Sequence, residues 1–519
     1  MTHSFSGNRR YLALWFPYLP TDRLHRLARK NGAAPGERPT VVTTRHNNAM
    51  RVAAVDRRAA SLGLKAGLAL ADARARVPDI DAHEHQPEAV QALLAHVADW
   101  CDRYTPVVAE DLPDGLTLEI SGSAHLFGGE AALMADLRSR LKGFGLSVRT
   151  VIASTTDCAR TLARFGGQGL VARGEEKRAC ASLPVGALQL DQDRMVALRR
   201  AGLARIADLA ERPRKPLAAR FGVDMIERLS GILGEVDRPL SPRRPIPEFS
   251  AEQRFADPIG LAEDIAAAFD ALSRDLCETL EKYGKGGRRF EAVFFRADGA
   301  TRRIQALSGR PLRDRTALKR LFTTRLEALA DPLDPGFGFD MIRLSAFGME
   351  EAAPAQVHFE REHAEEEAVA DLIDRLTARY GPAAVECFLP EESHVPERAA
   401  RHVPAISAMP WKSGWPEALP GEPPLRPLLM LCPAQPVETV AMVPDGPPLR
   451  FRWRRVLHEI ARAEGPERIA PEWWRKEPGQ TRDYYRVEDT QGHRFWLFRC
   501  GLYGREVGEI RWYIHGLFA

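Results

Sequence analysis

Several kinds of chemistry are missing from this sequence. Its seven cysteines, at 101, 158, 180, 277, 387, 432 and 500, are odd in number and never spaced as CxxC. That excludes a disulfide framework and a cysteine-rich zinc site, leaving separate reduced thiols. The fourteen histidines form no HExxH or other short-spaced ligand set. No window approaches about 18 uninterrupted apolar residues, and the start MTHSFSGNRR lacks a signal-peptide core. A cytoplasmic protein without a membrane span is therefore expected. No GxSxG turn marks a hydrolase nucleophile. The FGG triplets at 127–129 and 165–167 lack the GxGxxG spacing and read as turns. Net charge is small too, with 73 basic and 70 acidic side chains leaving +3.

What is present is length and local contrast. At about 150 residues per domain, 519 residues suggest three or four domains, and 45% hydrophobic with 28% charged content suits folded soluble protein. Residues 281–325 hold thirteen Lys or Arg against four Asp or Glu, whereas 351–375 hold eight acidic against two basic. A basic module thus precedes an acidic connector, and nucleic acid is the natural partner for the first. Strand-like YLALWF (11–16), RPTVV, TLEIS (117–121) and LSVRTVIA (146–153) interleave with amphipathic helices, giving a mixed α/β or α+β domain over roughly the first 170 residues of an α+β multidomain chain. Residues 184–235 read as short helices. There Gly202 makes a tight hairpin that either aims backbone N–H groups at a phosphate, beside Arg199, Arg200 and Arg205, or is an ordinary packing turn.

A Pro- and Arg-rich link, 238–248, leads to the basic module, whose β–β–α–β pattern follows a helix around 260–282. Arg288, Arg289, Arg296, Arg302 and Arg303 flank its short strands and form the expected phosphate-contact set, the other reading being a solvated basic surface. The last seventy residues are rich in Trp and Tyr, with a hairpin signal at DTQG (489–492) and a third strand beyond it. Those aromatics serve either as core or as a docking surface. Two-metal phosphoryl transfer needs converging carboxylates. The first strand has none, since Asp22 lies beyond its turn, and EDLPDGLTLEISG offers only Glu110, Asp111, Asp114 and Glu119.

The succession YLALWFPYL (11–19), VAAVDRRAASLGLKAGLALADARARVPDI (52–80), EDLPDGLTLEISG (110–122), LSVRTVIASTTDCARTLARF (146–165) and LPVGALQL…LRRAGLARIADL (183–209) resembles the Y-family translesion DNA polymerases. Within that family it is most similar to the divergent, polymerase-like ImuB branch. The resemblance implies a right hand: palm over 1–170 with fingers at about 35–82, a helix-hairpin-helix thumb over 171–240, and a little finger over 241–350. A linker over 351–448 and an aromatic C-terminal module over 449–519 complete it. Residue by residue, Leu14 and Phe16 match the metal-binding pair of the first strand, and Asp114 matches a metal-binding Asp whose neighbouring Glu is Gly115 here. Arg57 and Ala60 match the triphosphate-binding Tyr and Arg of the fingers, of which only Arg57 can meet a phosphate. No cofactor is implied, Mg²⁺ entering only on the alternative reading of an active polymerase. Implied partners are primer–template DNA, the β sliding clamp, an ImuA-like RecA-related accessory protein and an error-prone C-family polymerase. The expected place is the nucleoid. Gln356 and Phe359, in APAQVHFER, match a degenerate clamp-binding peptide or are part of an acidic linker.

Overall fold

The computed structural model describes residues 9–32, 38–238, 240–352, 361–408, 426–442, 446–476, 479–502, 505–507 and 510–518. Gln356 and Phe359 lie outside the described residues. The chain divides into one unit of 1–306 with 311–355 and another of 307–310 with 356–519.

In the first unit, β1 (Tyr11–Trp15) runs antiparallel between β3 (Gly115–Glu119) and β4 (Arg149–Ala153), and β2 (Val108–Asp111) pairs with the outer side of β3. Side chains alternate across a strand, so β1 feeds two cores. Leu12 and Leu14, with Phe16 just beyond the strand, join Leu116, Leu118 and Ile152 against α1 (Leu19–Lys30), α2 (Pro87–Cys101) and α3 (Glu130–Gly143). Tyr11 and Ala13 face the other way, with Val151 and Ala153, onto α4 (Thr156–Phe165). The hydroxyl of Thr155 caps α4 by accepting from the Cys158 amide at 3.3 Å. Between α1 and α2 sits a small sheet of Thr40–His46, Ala49–Val55 and Asp81–Glu84 around Val41, Val52 and Leu64.

The helices α5 (Gln192–Arg200), α6 (Ile206–Ala210), α7 (Arg214–Phe221) and α8 (Val223–Ile232) extend the core beneath α4 through Leu198, Ile206, Leu209 and Leu229. Gly202, at φ +73°, makes the tight turn between the first two. The following link pairs with the sheet edge, the Arg243 amide donating to the Val108 carbonyl at 2.8 Å. Its side chains are pinned by Asp99 and Glu110.

Strands β5 (Phe249–Ile259), β6 (Lys285–Arg296), β7 (Thr301–Leu312) and β8 (Phe339–Glu351) form a sheet in the order β7–β6–β8–β5, with helices α9 (Ala262–Lys282) and α10 (Arg315–Glu327). The sequence pattern anticipates every one of these elements except β5. FSAEQRFADPI breaks its apolar residues with Glu252, Gln253, Arg254 and Asp257 and buries none of them fully, because it is an edge strand, exposed or half-buried throughout. Buried ion pairs clasp this domain to the first sheet's helices. Arg303 pairs with Asp102 and Glu291, Arg343 donates to the Asp102 carbonyl at 2.5 Å and to Glu252, and Asp340 accepts from Arg103 and Arg140 at 2.9 Å each.

The second unit contains α11 (Arg361–Tyr380), a hairpin of Glu386–Pro390 with Ala400–Pro404, and a closed antiparallel barrel. The barrel strands are β9 (Leu429–Ala441), β10 (Pro448–Trp453), β11 (Val456–Ile469), β12 (Arg482–Asp489), β13 (Arg494–Cys500) and β14 (Arg511–Leu517). It begins at Leu429 and not at the expected 449, because β9 closes it against β14. Pro433 and Pro436 obscure that strand in the sequence; the β9–β14 ladder accommodates the first by skipping from Met430 to Gln435. The aromatics divide. Trp496, Tyr484 and Tyr485 are core, whereas Trp473 is 80% exposed.

His515 is buried, stacked on Trp496 with ring centroids 5.5 Å apart, and its Nδ1 lies 2.8 Å from the Tyr484 hydroxyl. Burial depresses its pKa to about 4 against the attraction of Glu397. Since the unfolded chain takes up this proton first, stability from this group is complete above about pH 6.5 and is lost as pH falls towards 4. In NMR titrations, the ring signal that disappears in His515→Gln is expected to titrate near pH 4. A midpoint near 6.5 would contradict the buried stack.

Candidate functional site

On the α4 face of the sheet, the turn between β2 and β3 presents Asp111 and Asp114, the only two of the four carboxylates singled out in the sequence that converge. Arg164, in the last turn of α4, fills the space between them. Its guanidinium donates to Asp111 Oδ2 at 2.9 Å and to Asp114 Oδ1 at 2.5 Å. Burial works against the charge of Arg164, but its hydrogen bonds to Asp114 and Asp111 outweigh it and raise its pKa. The Trp15 indole N–H donates to Asp114 Oδ2 at 2.9 Å, and Arg149 lies over the Trp15 ring at 5.3 Å. Arg160, one turn before Arg164, donates to Thr117 Oγ1 at 2.8 Å. Asp114 is thus held by a guanidinium on one oxygen and an indole on the other.

Leu14 and Phe16 do not stand at this place. Period-two alternation sends both into the core under α2 and α3, where they are buried, and the β1 residue whose side chain reaches Asp114 is Trp15. In the register, Trp15 lies opposite Gly115. A Cβ on Gly115 would come within 3.0 Å of Arg164 Nη2 and of the Asp111 carbonyl oxygen. The arginine therefore occupies room that a glutamate there would need. Glu110 instead accepts from Arg243 at 2.6 Å, Glu119 sits at the far end of β3 opposite Tyr11, and Asp22 accepts from the Ser147 amide at 2.6 Å.

These side chains do not fit a pair of Mg²⁺ ions. The β1 contribution is an indole, and both available carboxylates are held by one guanidinium in the space between them. Among the described residues, no group of three or more His, Cys, Asp or Glu converges as a metal set. Sequence reasoning missed Trp15 and Arg164. Their signal was present in the alternation of YLALWF and in two arginines four apart on one helix, Arg160 and Arg164.

The expected phosphate contacts have mixed surroundings. Arg57 is exposed at the first turn of the helix Arg57–Ser61. Arg199, Arg200 and Arg205 are exposed around Gly202, but the Ala204 and Arg205 amides already donate to Asp208 at 2.9 and 2.8 Å. The hairpin's donors thus serve a carboxylate of the chain, which a phosphate would have to displace. Arg296 is pinned by Asp298 and Asp334, and Arg303 is consumed in the buried clasp. Arg302 pairs with the exposed Asp331, Arg288 with Glu350, and Arg289 lies over Phe347 at 4.4 Å.

Residues 32–164 match the impB/mucB/samB family model and residues 247–359 the model of that family's C-terminal domain. Protein ImuB of Caulobacter vibrioides, in strains NA1000 / CB15N and ATCC 19089 / CIP 103742 / CB 15, is 43% identical over 468 residues, covering 88% of this chain and 100% of the relative. The chain belongs to the ImuB family. Solved structures similar to it include the crystal structure of DinB from Sulfolobus solfataricus, at 14% identity and TM-score 0.39, covering 66% of this chain and 100% of that one. Another is an insertion ternary complex of Dbh DNA polymerase, at 13% identity and TM-score 0.40, covering 66% and 99%. Membership of this family, with both family models matched, gives the fold of a Y-family polymerase, with palm, fingers and thumb, to which an additional C-terminal barrel is joined. With Asp111 and Asp114 closed off by Arg164 and Trp15, the chain is an adaptor-like, catalytically compromised Y-family paralogue. No described helix is long and apolar enough to cross a membrane.

Proposed function

We propose that the protein binds primer–template DNA without extending it, and links the β sliding clamp, an ImuA-like accessory protein and an error-prone C-family polymerase at damaged DNA. In this reading it is a nucleoid-associated, cytoplasmic protein of translesion synthesis and damage-induced mutagenesis. Residues 1–170 act as palm with fingers at about 35–82, 171–240 as thumb, and 241–350 as little finger. The clamp peptide is assigned to Gln356 and Phe359. The observation that carries the proposal is Arg164 bridging Asp111 and Asp114 where a polymerase would gather metal ions. Losing even one electrostatic catalytic contact costs about 10²–10³ in rate, and here the whole arrangement is replaced.

The purified protein is expected to show no primer extension with Mg²⁺ or Mn²⁺ while binding the same primer–template in fluorescence anisotropy. Affinity should fall linearly in log–log with salt as counterions are released. Because Arg303 is part of the clasp, the phosphate-contact variant is Arg288, Arg289 and Arg302 changed together to Gln, and it should show weaker binding and a shallower slope. Robust incorporation that vanishes in Asp114→Ala would overturn the adaptor reading. Equal affinity and slope in the triple variant would remove the little finger from the DNA surface.

A further inference from the structure

A strongly cationic cavity of the first unit lies away from the face closed by Arg164, on the side of the sheet covered by α1, α2 and α3. It is a cleft of about 760 Å³ between α1, the C-terminal end of α3 and the β6–β7 turn. Arg23, Arg26, Arg29 and Lys30 of α1 line it together with Arg140 of α3. Arg140 is paired with Asp136 and Asp340, which leaves four cations of α1, and the lining carboxylate among the described residues is Asp298, which Arg296 already holds at 2.7 Å. A face that merely solvates the fold mixes its signs.

The cations are positioned, not loose. Arg26 donates to the Phe144 carbonyl at the end of α3. The next residue, Gly145, has φ +76°, and a Cβ there would collide with the Arg29 guanidinium, so the missing side chain lets Arg29 lie against this turn. Burial lowers the pKa of Arg26, and the neighbouring charge of Arg29 lowers it further against the opposing pull of Asp22 and Asp298. Arg29 and Lys30 are exposed, and neither forms an ion pair among the described residues. Residues 23, 26 and 30 follow one helix face over about 10 Å, a row of cations along which a chain of phosphates can lie. Leu27 and the half-buried Phe144 ring give the same cleft an apolar floor.

We propose that this cleft binds consecutive phosphates of a flexible chain, with single-stranded nucleic acid as the source. The volume admits nucleotides but not a duplex, and stacking surfaces beside a basic groove suit unpaired bases. The site goes beyond the primer–template reading and does not rest on it, since it uses the opposite face of the sheet.

The test is anisotropy of labelled (dT)₁₂ on the full chain, with inorganic tripolyphosphate and a blunt duplex as separate probes. Arg29→Glu with Lys30→Glu changes two exposed side chains, and Arg23→Gln supplies an independent variant. The double variant is expected to weaken (dT)₁₂ binding at least tenfold and to reduce the salt slope by about 1.4, at about 0.7 per phosphate contact. Arg23→Gln should weaken it severalfold, and duplex affinity should stay within twofold in both. Unchanged (dT)₁₂ affinity, or equal losses for single strand and duplex, would overturn the site. Wild-type protein that binds tripolyphosphate through these residues but not (dT)₁₂ would overturn the nucleic-acid source and keep the phosphate chemistry.

Discussion

Arg164→Ala is expected to loosen the closed face more than any other single change there, at a cost of about 2–3 kcal/mol. Asp111 and Asp114 are 24% and 27% exposed, so both carboxylates would be left largely desolvated with their shared guanidinium gone. Their mutual repulsion would add to the loss. Hydrogen exchange should speed up in the β2–β3 hairpin and in the last turn of α4 before any global change. Arg164→Lys keeps a charge but not the fork that reaches both oxygens at once, and should recover about half the loss. Gly115→Glu tests the same geometry from the other side. In the wild type its Cβ meets Arg164 and the Asp111 carbonyl, whereas in Arg164→Ala one of these obstacles is absent. The double-mutant cycle should therefore show the glutamate costing at least 1 kcal/mol less without Arg164. Additive costs would mean that the arginine does not occupy the glutamate's room. Neither variant is expected to extend a primer, because Trp15 still supplies the β1 side of the site.

Arg343→Ala is expected to release the little-finger-like domain from the first sheet's helices. Arg343 is only 9% exposed and serves the Glu252 carboxylate and the Asp102 carbonyl together, so truncation leaves Glu252 to Arg254 alone and takes the Asp102 carbonyl's side-chain donor, at a cost of about 2 kcal/mol. Hydrogen exchange over 249–351 should rise, accompanied by faster proteolysis in the 238–248 link. Arg303→Gln should act in the same way, since its partners Asp102 and Glu291 are buried too. Its salt slope for DNA binding should match that of the wild type. A slope reduced by about one in Arg303→Gln, with exchange unchanged, would return this residue to the phosphate surface.

The residues that were legible in the sequence are those whose role is periodic. YLALWF declares a buried strand, and the helices and inner strands of the basic module follow from their spacing. Strands β5 and β9 were hidden for different physical reasons: the first lies at an edge and buries little, the second carries prolines that argue against a ladder. At the site, the sequence shows that β1 has no carboxylate but not which side chain faces Asp114, because a one-residue shift exchanges the two faces of a strand. Leu14 and Phe16 were matched by order alone, and the side chain that decides is Trp15. Arg164 could not be assigned to Asp111 and Asp114 from the sequence, since 50 residues separate it from the latter. The arginines near Gly202 and in the basic module were visible as charge, whereas Asp208, Asp298 and Asp102, which occupy their neighbourhood, become visible only in three dimensions.

The closure of the C-terminal barrel by β9 and β14 restricts how anything can grip it. Each strand's main-chain hydrogen-bonding partners come from inside the ring, so an incoming peptide finds no ladder to extend. Recognition at this end of the molecule is therefore written in side chains and loops, where single substitutions retune it without disturbing the ring.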